Sequence, residues 1–142
     1  DQRRQAGPPY GFGHIVGDET LIAMAMILKS FFEKDEFIYR FGGEEFIILL
    51  HKTEQAEAIE ILERLRKRIE RHQFAQVGQK TISIGLVSLN QNCDSGTLFG
   101  RADTALYKAK ESGRNCTKSY EQLLETKQIS PVESREGSVD LF

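Results

Sequence analysis

Two short apolar runs, residues 37–41 (FIYRF) and 46–50 (FIILL), bracket Gly42, Gly43, Glu44 and Glu45, and this arrangement constrains the fold more than any other. Both runs are rich in aromatic or β-branched residues, and paired glycines between such runs predict a β-hairpin. Neither run alternates with polar residues, so both faces of the hairpin are expected to be covered by other elements. A covering helix is predicted from Asp18 onward. Leu21, Ala25, Leu28 and Phe32 recur on one helical face, with Ile22, Met24, Met26 and Ile27 filling much of the rest. Such a helix should be buried nearly all round.

A second helix is predicted over about residues 54–72, with Ala58, Leu62, Leu65 and Ile69 as its apolar stripe. Glu60 with Arg64 and Glu63 with Lys67 form i,i+4 pairs on its wet side. Residues 80–89 alternate as a strand, with Ile82, Ile84 and Leu86 on one face. A third helix, about residues 97–112, turns Leu98, Ala102, Ala105 and Ala109 inward, and Gly113 stands where a left-handed cap is usual. A short strand near residues 115–118 and a weak helical turn follow. Residues 129–142 are polar and aperiodic, which predicts a mobile tail. The order of elements points to an α/β (α+β) sandwich, with helices flanking a mixed, mostly antiparallel central sheet. One domain is expected over residues 12–125, between an irregular segment, 1–11, containing Pro8 and Pro9, and a flexible tail, 126–142.

Composition narrows the function classes. A length of 142 residues suits a single core. The longest apolar run, residues 21–28, falls well short of the ~20 residues that a membrane span needs, so no membrane segment is expected. No basic region followed by an apolar stretch opens the chain. Nineteen Lys and Arg against twenty-one Asp and Glu leave a net charge of −2, which argues against nucleic acid as a partner. Phosphate chemistry must then come from a local site. Cys93 and Cys116 form neither a spaced metal set nor a disulfide framework, so a reducing, cytoplasmic compartment is the default.

Three groups of residues could carry chemistry. Gly42 and Gly43 have no Cβ to keep a ligand phosphate from backbone N–H groups. Beside them, Glu44 and Glu45 offer hard oxygen ligands of the kind Mg2+ takes together with substrate phosphates. The same four residues also fit an ordinary solvated turn. Asp18 suits either a helix N-cap or an acceptor for the N–H groups of a guanine base. Lys110 and Arg114 suit either compensation of a helix dipole or a cationic clamp on a polyphosphate. His14 has no Ser or Cys partner in the pattern.

Taken together, the stretches FGHIVGDETL (residues 12–21), RFGGEEF (40–46), SIGLVS (83–88) and ADTALYKAKESGRN (102–115) resemble the GGDEF family of bacterial diguanylate cyclases, in the variant whose signature reads GGEEF. The resemblance covers about residues 12–118. It implies a fold like the palm of polymerases and class III nucleotide cyclases, and condensation of two GTP molecules into cyclic di-GMP and pyrophosphate. By motif position, it implies that Gly42 and Gly43 lie against the GTP phosphates, that Glu44 binds Mg2+ or Mn2+, and that Glu45 is the second signature acid. Asp18 would bind the guanine edge, Leu21 would pack beside the base, and Lys110 with Arg114 would hold the β and γ phosphates. A homodimer is implied, because one domain holds one GTP, as is a fused or partner sensory domain.

The chain departs from the family pattern in two places. The family's Asp-x-Asp-x-Phe-Lys-x-x-Asn-Asp strand has no counterpart in residues 1–11. Counting back puts Asp1 at its metal position and Pro9 at its Asn position, and paired prolines do not suit a central strand. Glu33 and Glu36 stand where the family's product-binding Arg-x-x-Asp would be, and two acids there would repel a dianion. These departures keep open a second reading: a catalytically inactive GGDEF-like module that binds GTP or a partner protein.

Overall fold

The computed structural model describes residues 12–32, 37–41, 43–89 and 92–131. They form α1 (Phe12–Phe32), β1 (Phe37–Arg40), β2 (Phe46–Leu49), α2 (Gln55–Arg71), β3 (Ile84–Leu86), α3 (Ser95–Glu111), β4 (Thr117–Ser119) and α4 (Tyr120–Glu125). The described residues fall into two compact units. The first takes the residues up to Thr53 together with Lys67–Lys80, and the second takes Glu54–Arg66 and the residues from Thr81 on. Among the described residues the strands form two two-stranded sheets, one antiparallel and the other parallel.

In the first unit the hairpin forms as predicted, with Phe37 opposite Leu49 and Arg40 opposite Phe46. Its cover is incomplete. Phe37 and Tyr39 are 58% and 52% exposed, and their rings stack 6.4 Å apart. Residues i and i+2 share a strand face, so one side of β1 is open to solvent. Helix α1 begins at Phe12 instead of Asp18, because Gly13 and Gly17 weaken a helix without ending it. Nor is it buried all round. Met24, Ile27 and Leu28 are buried, while Ile22 and Met26, one turn apart on another face, are exposed. Ile69 and Phe74 are also buried in this unit, and the His72 ring stands edge-on to Phe74 at 4.5 Å.

In the second unit β3 pairs in parallel with β4, Ile84 opposite Thr117 and Leu86 opposite Ser119. Parallel neighbours need a crossover, and α3 is that crossover. Its first turn is capped by Asp94, whose carboxylate accepts the Thr97 N–H at 2.7 Å. This bond holds the Asp94 carboxyl below the usual carboxylate range. At Gly85 strand and helix meet backbone to backbone: an added Cβ would lie 2.4 Å from Leu106 N and 2.5 Å from Ala102 O. Ala105, Tyr120 and Leu123 form a buried cluster, with Val87, Leu124 and Ile129 packed on it. The chain is therefore still packed at Ile129, where sequence placed the start of a mobile tail; residues 132–142 lie outside the described region. Of the four residues expected to face inward on α3, Ala105 and Ala109 are buried, while Leu98 and Ala102 are only half-buried.

The start of α2 is tied into the same unit by polar groups. Gln55 donates to Ser88 Oγ and Glu121 Oε1, both at 3.0 Å, and accepts from the buried Ser119 hydroxyl at 3.1 Å. Ser119 also caps α4 by accepting the Gln122 N–H. The predicted α2 stripe of Ala58, Leu62, Leu65 and Ile69 is buried throughout. Glu63, however, pairs with Arg66 at 2.7 Å, a partner that the i,i+4 pairing with Lys67 did not foresee.

Candidate active site

The hairpin turn is built by its own backbone and by one arginine. The Phe41 N–H donates to the Glu45 carbonyl at 2.7 Å, closing the loop where the strands end. The Arg40 guanidinium donates through Nε at 3.1 Å and Nη2 at 2.8 Å to the Gly43 carbonyl. Gly43 has φ +44°, a conformation that costs glycine little and most side chains more. The result is a fixed tip with Gly43 and Glu44 exposed and Glu45 half-buried. Gly42 lies outside the described residues. Among the described residues no group of three or more His, Cys, Asp or Glu side chains is placed to hold a metal. The hairpin carboxylates stand as adjacent hard donors, two at most.

Asp18 and Leu21 share a face of α1, three residues apart, with Asp18 exposed and Leu21 half-buried. Because the helix starts at Phe12, Asp18 lies inside it and not at the N-cap position. That removes the N-cap alternative for this residue.

Lys110 is exposed in the last turn of α3. Beyond it the chain unwinds: the Ser112 N–H donates to Lys108 O, Gly113 to Lys110 O, and Arg114 to Ala109 O. Gly113 (φ +111°), Arg114 (φ +64°) and Asn115 (φ +50°) are three successive left-handed residues. Lys110 and Arg114 therefore do not share a helical face. Arg114 projects from a turn that follows the helix. Among the described residues neither side chain makes a hydrogen bond or ion pair. The turn itself is held from outside, since Arg66 Nη1 donates to Asn115 Oδ1 at 2.8 Å and the Asn115 N–H donates to Ser83 Oγ at 3.2 Å.

Asp1, Pro9, Glu33 and Glu36 lie outside the described residues. Sequence reasoning missed Arg40, Arg66 and Asn115. Arg40 was within reach, because an arginine three residues before a turn glycine is placed to bond its carbonyl. The Arg66–Asn115 contact left no local signal.

A family model described as "Diguanylate cyclase, GGDEF domain" matches residues 11–116. The chain belongs to the GGDEF domain family. This GGDEF domain is 41% identical over 108 residues to diguanylate cyclase A of Treponema denticola, the match covering 73% of the chain and 29% of that protein. It is 38% identical over 104 residues to diguanylate cyclase DgcM of Escherichia coli K12, covering 73% of the chain and 25% of that protein. The domain thus spans less than a third of the length of these curated relatives. Among solved structures it resembles the active GGEEF domain of a diguanylate cyclase from Vibrio cholerae, with TM-score 0.69 and 38% identity, covering 77% of this chain and 71% of that one. It also resembles the GGDEF domain of DgcB from Caulobacter crescentus in complex with c-di-GMP, with TM-score 0.72 and 26% identity, covering 78% and 68%. The fold class expected from sequence is that of these neighbours. No helix among the described residues is long and apolar enough to cross a membrane.

Proposed function

We propose that this domain joins two GTP molecules into cyclic di-GMP, in two successive attacks of a 3′-hydroxyl on an α-phosphate. Each attack forms one phosphodiester bond and releases one pyrophosphate. The observation that carries this reading is the hairpin tip. A GGEEF turn is clamped by Arg40 on the Gly43 carbonyl, with Glu44 exposed, in a chain 38% identical to an active GGEEF domain.

Catalysis of phosphoryl transfer is mostly positioning and charge neutralisation. On the first unit, Gly42 and Gly43 would admit the phosphates close to the backbone, Glu44 would hold a divalent cation, and Glu45 would be the second acid. Two adjacent carboxylates suit Mg2+, which takes its remaining ligands from substrate phosphate and water. When bound, the cation supplies neutralisation of phosphate charge and a more acidic hydroxyl. Asp18, exposed on α1, would accept the guanine N–H groups, with Leu21 against the base. On the second unit, Lys110 and Arg114 are exposed, unengaged cations for the β and γ phosphates. A homodimer would bring two GTP-loaded domains face to face, and a fused or partner sensory domain would control that meeting. We place the activity in the bacterial cytoplasm, where GTP is available.

The test is incubation of the intact protein with GTP and Mg2+, with product read by mass spectrometry. Cyclic di-GMP formed by the native protein and lost in Glu44→Gln supports the reading. GTP binding without product would instead assign the domain to the inactive, ligand-binding class.

A further inference from the structure

We propose that Arg66 is a positioning residue for the turn that presents Arg114, acting through its hydrogen bond to Asn115. The proposal rests on the reading of Arg114 as a phosphate ligand. Arg66 lies on α2 with its side chain only 12% exposed. Its Nε and Nη2 fork onto the Glu63 carboxylate at 3.0 and 2.7 Å, which fixes the plane of the guanidinium. Nη1 is thereby aimed at Asn115 Oδ1, which it meets at 2.8 Å. Asn115 is held a second time through its N–H on Ser83 Oγ.

This double hold matters because of the backbone it serves. Arg114 and Asn115 are consecutive non-glycine residues at positive φ, and such strain persists only where the surroundings over-determine it. The Arg114 N–H is anchored on Ala109 O at the helix end, and the next residue is anchored on Arg66 and Ser83. Between those anchors the Cα–Cβ direction of Arg114 is set. Without the Arg66 contact the turn is free to relax toward extended backbone, and the Arg114 guanidinium swings away from its set direction. A lysine at position 66 keeps the charge but has no planar fork to share between Glu63 and Asn115.

The experiment is calorimetric titration of the intact protein with GTP and with guanosine, for Arg66→Met, Asn115→Gly, Arg114→Ala and the pairwise combinations with Arg114→Ala. Arg66→Met should weaken GTP about tenfold, leave guanosine within about twofold, and add no further loss when Arg114 is already alanine. Asn115→Gly tolerates the left-handed turn but removes the acceptor, so it should reproduce the pattern and carries the test if Arg66→Met does not fold. Unchanged GTP affinity in a folded Arg66 or Asn115 variant overturns the proposal. So does equal loss of GTP and guanosine, as does full additivity with Arg114→Ala. If Arg114→Ala alone leaves GTP affinity intact, the phosphate role of Arg114 has failed first, and the positioning role falls with it.

Discussion

Arg40 and Gly43 are joined by a two-pronged hydrogen bond, guanidinium to carbonyl, so the strand leading into the hairpin also holds its tip. The bond lies at the surface, where its net contribution to stability is small. Arg40→Ala should cost about 1 kcal/mol of stability. Its effect on GTP turnover should be larger, because the Gly43–Glu44 backbone loses its fixed direction. Thermal melting beside a turnover assay separates the two, and equal turnover in Arg40→Ala would show that the tip needs no clamp.

Glu44 is exposed at that tip. Glu44→Gln keeps its shape and removes its charge, so stability should stay within about 0.5 kcal/mol while cyclic di-GMP formation is abolished. A variant that melts early would assign the carboxylate a structural duty, and a fully active variant would take it out of the chemistry.

Lys110→Ala combined with Arg114→Ala should weaken GTP much more than guanosine, since both cations are proposed to meet only the phosphate tail. The expected loss is of order tenfold to a hundredfold for two charge-assisted contacts. Matched losses for the two ligands would point to damage at the end of α3.

Gly85→Ala should destabilise the second unit by about 1–3 kcal/mol, the usual scale of overpacking. The new methyl would meet backbone atoms of Ala102 and Leu106, which cannot step aside as a flexible side chain can. Denaturant melts measure the loss. An unchanged midpoint would mean that α3 lifts from β3 at little cost.

Ile22, Met26, Phe37 and Tyr39 are all more than half exposed, and β1 is paired only with β2 among the described residues. Apolar patches and open strand edges promote association. The 142-residue chain should elute in a concentration-dependent manner on size exclusion, and Phe37→Thr with Tyr39→Thr should shift it toward the monomer. Identical profiles for the two would acquit the β1 face.

What sequence made legible was local and repetitive. The stripe on α2 is a helical period read off one segment, and all four of its residues are buried. The hairpin follows from two apolar runs and the glycines between them. Apolar content did not reveal which side of α1 or β1 is covered, because burial depends on neighbours that a pattern does not name; Met26 and Met24 look alike in sequence and end on opposite sides. The start of α1 at Phe12 was not legible, since Gly13 and Gly17 lower the helix propensity of its first turns. Among the site residues, the turn at Arg114 was half visible, since Gly113 and Asn115 both tolerate positive φ. Its support was invisible, because Arg66 and Asn115 are 49 positions apart and nothing local couples them.

The parallel pairing of β3 with β4 has a kinetic consequence. No tight turn can close such a pair, so joining β4 to β3 requires closing a loop that contains the whole of α3, and contacts of long sequence separation are slow to form. The Arg114–Asn115 turn lies at the far end of that closure, next to Cys116, whose carbonyl accepts the Ile84 N–H at 2.9 Å. The bonds that hold Asn115 from outside, from Arg66 and to Ser83, therefore engage only when that closure is made. A molecule that has not completed the crossover lacks those holds on the turn, so the nucleotide binding proposed for Arg114 would draw the folding equilibrium toward completed domains by mass action.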